Sequence, residues 1–254
     1  MKLIAIMRVK NEIALIRESL SRLSLLVDEI IVLDNGSTDG TLEIYGQFSK
    51  VVEVLHTAGF NEGRDKIMLL EAAIRRQPDW LIFLDADEIF EKNFSRRDLE
   101  KYMNSQYDRI NFRLCHFWLS RRWCRWGGKY FLYSLQPLRC MWRHRSDVYF
   151  ADKKIHNGDV QGNFKKIYFS PYRLKHFGLI DYQKVKAKLA LYRSLDGDVR
   201  NYDHLDPDKK FFVLPFIEFR SRLINYFFIV KLKYFEHFIW LLAIIYLKIF
   251  KNKK

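Results

Sequence analysis

The feature that most constrains the fold is a regular alternation of short apolar runs and helical patterns over the first ninety residues. The apolar runs occupy 2–9, 29–33, 51–55 and 80–84, and the intervening segments carry helical spacing or helix-capping residues. The pattern predicts the order β-α-β-α-β-α-β. Parallel strands require crossover connections, which are usually helices, so this order is typical of a parallel sheet with helices packed on its faces. We therefore predict an α/β protein.

The sequence is less regular after residue 100. Short strand candidates occur at 109–114 and 166–169, and helical spacing returns at 182–193. Charge also changes, since residues 1–100 hold 13 Lys and Arg against 18 Asp and Glu, whereas the remainder holds 31 against 12. The formal charge of +14 is therefore not a uniform basic coat. The split suggests that the first half handles a cation and that the second half faces something anionic.

Three polar clusters directly follow apolar runs, at 8–12, 34–39 and 85–88. Ligands of open parallel sheets bind beyond the carboxyl ends of the strands, so these clusters should meet at one edge. Asp85 and Asp87 are the most informative members, because two carboxylates this close together can share one cation. Ligation by oxygen atoms suits Mg²⁺ or Mn²⁺, which retain open positions for phosphate oxygens.

Four segments resemble a known family. VKNE at 9–12, LDNGSTDGT at 33–41 and FLDADE at 83–88 resemble, in order and spacing, the signature blocks of family 2 glycosyltransferases with the GT-A fold. FNEGRDK at 60–66 resembles the loop and helix start that these enzymes place near the nucleotide. Within this family, the sequence is similar to a subgroup of bacterial-type enzymes that extend lipopolysaccharide cores or other surface glycans. The resemblance implies a GT-A, Rossmann-like, mostly parallel sheet flanked by helices.

The resemblance also implies roles for particular residues. Asp34 is expected beside the base and ribose of a UDP-linked sugar, and Glu88 beside a sugar. A divalent cation, Mg²⁺ or Mn²⁺, is expected on Asp85 and Asp87, with His176 as a further ligand. The other residues expected around the nucleotide are Arg8, Asn11, Glu12, Ser37, Asp39 and Arg64.

An inverting transfer also needs a base at the acceptor hydroxyl. Many family 2 members supply a paired carboxylate in the second half of the chain, and this sequence has no such pair there. The candidates are Asp152, Asp159 and Asp181. The first two flank 154–158, a segment that resembles one near the acceptor site, and His156 within it is a second candidate metal ligand.

The sequence thus predicts a metal-dependent, inverting glycosyltransferase that acts in surface-polysaccharide or lipopolysaccharide synthesis. We expect one domain over 1–210, with the nucleotide sugar on 1–100 and a glycan or lipid-linked acceptor on 101–210. A basic, aromatic helical extension is expected over 211–254, which either packs on the domain or lies on an anionic membrane. With no secretory signal and no apolar run near the roughly 20 residues of a membrane span, we expect a cytoplasmic protein on the inner face of a membrane.

Two other classes of protein fit parts of the sequence less well. A nucleotidyltransferase of related fold would carry a glycine-rich, basic loop after its first strand, and VKNE at 9–12 contains no glycine. A non-enzymatic membrane or nucleic-acid binder, for which the interleaved tryptophans and arginines at 118–126 are suitable, would not need Asp85 and Asp87. No nucleic-acid partner is expected. The cysteines Cys115, Cys124 and Cys140 lack CxxC spacing and are expected to be free, buried thiols.

Overall fold

The computed structural model of the protein describes residues 1–125, 137–155, 158–196, 202–209, 211 and 213–216. Its first half contains four strands and three helices in the predicted alternation, which is confirmed. In chain order these elements are β1 (Leu3–Val9), α1 (Ile16–Ser24), β2 (Glu29–Asp34), α2 (Leu42–Tyr45), β3 (Val51–His56), α3 (Glu62–Arg75) and β4 (Trp80–Asp85).

The second half adds six strands, two α-helices and a 3₁₀ turn within the described residues. In chain order these are β5 (Glu88–Phe90), α4 (Arg96–Met103), β6 (Arg109–His116), β7 (Trp123–Arg125), β8 (Pro137–Arg143), β9 (Ile167–His176), α5 (Tyr182–Asp196), the 3₁₀ turn Asp203–Leu205 and β10 (Val213–Pro215). No helix in the described part of the chain is long and apolar enough to cross a membrane. Apart from 211 and 213–216, the predicted extension lies outside the described residues.

Eight strands form one mixed sheet in the order β3-β2-β1-β4-β8-β6-β9-β5. The first four are parallel, as predicted. β8 is antiparallel to both of its neighbours, β6 and β9 are parallel, and β5 is antiparallel to β9. The α/β class with flanking helices is confirmed, but the sheet is parallel throughout only over the amino-terminal half.

The sheet must curl strongly at the end of β4. Only Ala86 and Asp87 separate β4 from β5, so three Cα steps of about 3.8 Å span the gap. In a flat sheet, the four strand spacings between β4 and β5 would measure about 19 Å, which this connection cannot bridge. The curl therefore brings β9 and β5 next to the carboxyl ends of β1 and β4.

The central strands are buried on both faces. Leu3, Ala5 and Met7 of β1 belong to one apolar cluster, while Ile4 and Ile6 belong to a second cluster that includes the inner face of α3. Because side chains of a strand alternate between faces, burial on both sides requires apolar residues at every position. This explains why these strands appear in the sequence as uninterrupted apolar runs.

The aromatic and basic segment after β6 is partly packed inside the protein, since Trp118 and Arg125 are buried whereas Arg121, Arg122 and Trp123 are exposed. Arg125 is 1% exposed, and its guanidinium carbon lies 3.2 Å from the ring centre of Trp118 and 3.9 Å from that of Phe211. Its Nη1 also donates a hydrogen bond of 2.6 Å to the carbonyl of His204. Arg125 and Trp118 therefore stabilise the packing of this region, while Trp126 lies outside the described residues.

The three cysteines are free and buried, as predicted. Cys115 and Cys124 belong to the same apolar cluster, and Cys140 belongs to the cluster beneath α3. The cysteines therefore contribute to the apolar core in their reduced form.

Candidate active site

A cavity of about 650 Å³ lies at the carboxyl ends of β1 and β4, where the curled sheet also supplies β5, β8 and β9. Its lining includes eight of the residues predicted from the sequence, namely Arg8, Asn11, Glu12, Asp85, Asp87, Glu88, Asp159 and His176. The other predicted residues lie outside its described lining, namely Asp34, Ser37, Asp39, Arg64 and Asp152.

The three predicted site residues of the 34–39 loop hold this loop in shape. Asp34 is fully buried and accepts hydrogen bonds from the Ser37 backbone N–H at 2.7 Å and the Tyr45 hydroxyl at 2.6 Å. The Ser37 hydroxyl oxygen accepts the backbone N–H of Asn11 at 2.9 Å. Both carboxylate oxygens of Asp39 accept backbone N–H groups. Nucleotide contacts of Asp34, Ser37 and Asp39 stay predictions, while in this structure these residues support the loop that presents Asn11.

The backbone N–H groups at the start of α3 donate to protein oxygens and are not available to an anionic ligand. The N–H groups of Glu62 and Gly63 donate to the carbonyls of Lys154 and Lys153 at 3.0 and 2.9 Å. The next two N–H groups of the helix donate to Asn61. The N–H groups of Glu62, Gly63 and Arg64, which a helix start could offer a phosphate, are therefore occupied.

Arg64 is held by the loop that precedes α3. Its guanidinium donates to the carbonyls of Ala58 and Gly59 at 3.0 and 2.9 Å. It also forms an ion pair with Asp65, whose Oδ1 lies 2.7 Å from Nη2. In this structure Arg64 supports this loop, and its expected role near the phosphates stays a prediction.

Asp85 lies between two arginines. Its Oδ2 accepts a hydrogen bond of 2.6 Å from Arg139 Nη2, and its Oδ1 lies 3.6 Å from Arg8 Nη2. Burial raises the pKa of Asp85, but the two guanidinium charges outweigh burial and hold this pKa below its usual range. Arg139 Nε also donates to Glu88 Oε2 at 2.7 Å. Asp85 is therefore ionised, and its negative charge is balanced by the two arginines. Arg139 of β8 is a site residue that the sequence patterns did not reveal.

Asp87, Glu88 and His176 form the group best suited to hold a cation. Each offers one ligand atom, and these atoms lie within 4.8 Å of one another. Asp87 Oδ1 and Glu88 Oε1 are buried without a hydrogen-bond partner among the described residues. A buried carboxylate oxygen without a partner is costly, and a divalent cation would satisfy both atoms. The donor set fits such a cation, and ligation by Asp85, which the sequence also suggests, stays a prediction.

Strand register explains how this group, which we call the acidic cluster, comes together. Glu88 is the register partner of His176 across the β5–β9 pair, and the Phe177 backbone N–H donates to the Asp87 carbonyl at 2.8 Å. His176 Nε2 lies 3.4 Å from Asp87 Oδ2. The imidazole and cations such as Lys188 lower the pKa of Asp87 although burial raises it. Asp87 is therefore ionised and available as a ligand.

One face of α5 supplies positive charge to the cavity. Lys184, Lys188 and Tyr192 are four residues apart and all line the cavity. Lys184 Nζ lies 3.2 Å from Glu12 Oε2. Burial lowers the pKa of Lys188, but Tyr192 and the nearby carboxylates, including Asp87, raise it overall. This spacing on the predicted helix is the signal that would have placed the two lysines on one positively charged face.

The candidate bases differ in position. Asp159 lines the cavity, and its Oδ2 lies 3.2 Å from Arg109 Nη2. Asp152 is exposed and lies outside the described cavity lining. Asp181 is exposed and accepts the backbone N–H of Lys184 at 2.8 Å, at the start of α5. Of the three, the structure brings Asp159 to the site, while His156 lies outside the described residues.

The raised pKa of the Glu12 carboxyl group should make the free energy of unfolding depend on pH. Burial and the charge of Asp87 raise the pKa of Glu12 from 4.5 to about 7, against the opposing effect of Lys184. Between these values the folded protein retains a proton that the unfolded chain releases, so the free energy of unfolding falls as pH rises. In Glu12→Gln this decrease, worth about 3 kcal/mol, should be missing. Urea denaturation between about pH 5 and pH 8, in a chelator, measures it.

The matched control for this prediction is Glu71→Gln, because Glu71 is exposed on α3. Its unfolding free energy should follow that of the wild type at every pH. If the Glu12→Gln and wild-type curves stay parallel over this range, the proposed proton on Glu12 is absent.

Sequence comparison identifies relatives of the amino-terminal half. Residues 4–123 match the family model described as "Glycosyl transferase family 2", which confirms the expected resemblance over this segment. The chain is also similar to TuaG of Bacillus subtilis (strain 168), a protein assigned to teichuronic acid biosynthesis as a glycosyltransferase. The identity is 33% over 76 residues, which are 30% of this chain and 30% of TuaG. The match thus spans less than a third of that relative.

Structure comparison finds similar folds at low sequence identity. S. aureus TarS is 17% identical, with 81% of this chain and 41% of TarS covered and a TM-score of 0.49. TarS 1–349 in complex with UDP-GlcNAc is 17% identical, with 81% and 69% of the two chains covered and a TM-score of 0.45. The mannosyltransferase PcManGT from Pyrobaculum calidifontis, in complex with GDP-Man and Mn²⁺, is 13% identical, with 81% and 67% covered and a TM-score of 0.44.

Proposed function

We propose that this chain, whose residues 4–123 match glycosyl transferase family 2, transfers a sugar from a nucleotide-sugar donor to a growing cell-surface polysaccharide. The observation that carries the proposal is the acidic cluster, which lies in a cavity at the carboxyl ends of parallel strands. Its two buried carboxylate oxygens lack partners among the described residues. Similarity to TuaG supports a surface glycan as the product.

The donor diphosphate is proposed to lie between the acidic cluster and α5. Asp87, Glu88 and His176 would hold Mg²⁺ or Mn²⁺, and the bound cation supplies positive charge against the leaving nucleoside diphosphate. Lys184 and Lys188 would donate hydrogen bonds to phosphate oxygens from the opposite side. UDP is the nucleotide that the sequence resemblance implies.

Transfer is proposed to proceed with inversion, with Asp159 as the base. Asp159 lines the cavity, and its partner Arg109 holds one carboxylate oxygen at 3.2 Å. The other oxygen accepts the Val160 backbone N–H at 2.9 Å. These two contacts would orient the carboxylate so that it accepts the proton of the acceptor hydroxyl during attack on the sugar.

A glycan or lipid-linked acceptor is proposed for residues 101–210. The extension over 211–254 holds 13 aromatic residues and eight Lys and Arg. This composition supports binding to an anionic membrane surface, and hence a location on the cytoplasmic face of a membrane.

The test is a panel of UDP-, GDP-, CMP- and dTDP-linked sugars, each assayed with Mn²⁺, with Mg²⁺ and with a chelator. We expect one nucleotide class to be consumed, only in the presence of a divalent cation, with release of the nucleoside phosphate. NMR of the glycoside product compares its anomeric configuration with that of the donor, and inversion is expected. Consumption that continues undiminished in the chelator, or no consumption of any donor, would contradict the proposal.

A further inference from the structure

His176 has a second histidine as its hydrogen-bond partner. His116 Nδ1 lies 2.8 Å from His176 Nδ1, with ring centres 4.8 Å apart and ring planes at 83°. The two residues are register partners on the parallel strands β6 and β9. The other nitrogen of His176, Nε2, faces Asp87 at 3.4 Å.

This contact constrains the position of one hydrogen. Each neutral imidazole carries a single N–H, so only one of the two facing Nδ1 atoms can donate. If His176 Nδ1 donates, its Nε2 presents a lone pair to the acidic cluster. If His116 Nδ1 donates, the hydrogen of His176 must occupy Nε2, where it prevents that atom from binding a cation. The tautomer of His116 therefore decides whether His176 serves as a ligand.

We propose that His116 is a positioning residue, whose Nδ1 accepts the Nδ1–H of His176 and thereby keeps the Nε2 lone pair directed at the acidic cluster. This inference rests on the proposed function, since it requires a cation at Asp87, Glu88 and His176. Metal-binding histidines usually donate their second N–H to a carboxylate or carbonyl, and losing that partner weakens metal binding. Here the cross-strand pairing of β6 with β9 places an imidazole in that role.

The test compares two amides at position 116. In His116→Asn the side-chain oxygen occupies the place of Nδ1 and can accept the same hydrogen bond, whereas in His116→Gln the oxygen lies one bond further out. We expect His116→Gln to weaken Mn²⁺ binding by about 10- to 100-fold and His116→Asn to retain wild-type affinity. Isothermal titration of the whole chain with Mn²⁺ alone measures this, and thermal unfolding without metal reports on folding.

The outcomes separate the two proposals. If wild type does not bind Mn²⁺, the cation site of the proposed function fails and the role of His116 fails with it. If wild type binds and His116→Gln binds equally well, or His116→Asn is as weak as His116→Gln, only the role of His116 is overturned. Should neither variant fold, ¹⁵N NMR of wild type saturated with Mg²⁺ decides, because a hydrogen on His176 Nε2 in the loaded protein overturns the proposal, whereas a hydrogen on Nδ1 alone supports it.

Discussion

Replacing Asp87 with asparagine is expected to reduce sugar transfer by at least about a thousandfold, because it removes the charge of a cation ligand without changing the shape of the side chain. A thousandfold loss corresponds to about 4 kcal/mol of transition-state stabilisation, which is the scale of a lost Lewis-acid contribution. Asp87 is 8% exposed, and its Oδ1 has no partner among the described residues. A cation on that oxygen is therefore the interaction that the substitution should remove.

The same substitution should leave the metal-free protein folded. Asp87→Asn removes a buried charge that His176 and cations such as Lys188 stabilise against the effect of burial, so the metal-free protein should lose some stability. We expect a modestly lower melting temperature in the chelator, together with loss of the stabilisation that Mn²⁺ gives wild type. Initial rates at saturating donor, with Glu71→Gln as the control, provide the measurement. A rate within tenfold of wild type would show that Asp87 is not a cation ligand.

Much of the first half of the fold could be predicted from the sequence, because its signals are local. Strands such as β1 and β4 are buried on both faces, so their positions follow from apolar runs alone. The β9 strand was predicted only at 166–169 but covers Ile167–His176. Pro171 and the basic residues around it hide the strand, and the β6–β9 register shifts near this proline.

The site residues that come directly after one apolar strand could be predicted from the sequence. Asp85, Asp87 and Glu88 were located because they end an apolar run, but the sequence could not show which of them would bind arginine. Arg139 comes from β8, more than 50 residues away, and it pairs with both Asp85 and Glu88, whereas Asp87 and Glu88 lie beside His176. Such non-local pairing has no signature in a local pattern.

The loop at 34–39 shows a second limit. Asp, Asn and Ser are common both in binding loops and in turns, where their side chains satisfy nearby backbone groups. Asp34 has such a turn contact with the Ser37 N–H, and the Ser37 hydroxyl accepts the N–H of Asn11. Composition alone does not separate such contacts from nucleotide binding. The His116–His176 pair was not found from the sequence for a related reason, since it depends on the register of β6 with β9.

Replacing Gly178 with alanine is expected to disrupt the acidic cluster through a single methyl group. A Cβ at this position would overlap Asp87 Oδ2 and would lie 2.9 Å from His176 Nε2. Both separations are shorter than van der Waals contact allows. The backbone cannot easily retreat, because the Phe177 N–H is bonded to the Asp87 carbonyl at 2.8 Å. The ligand side chains must therefore move, and a displacement of about 1 Å can cost a hundredfold in rate.

We expect Gly178→Ala to weaken Mn²⁺ binding at least about tenfold and transfer about a hundredfold or more. Gly46→Ala is the matched control, since a Cβ at Gly46 has no atom within 4 Å and should change neither. The decisive measurement is the double variant with Asp87→Asn. If both substitutions act through the same cation site, the double variant should lose little more activity than Asp87→Asn alone. Fully multiplicative losses would mean that Gly178 acts elsewhere, so the close contact at Asp87 would not be the cause.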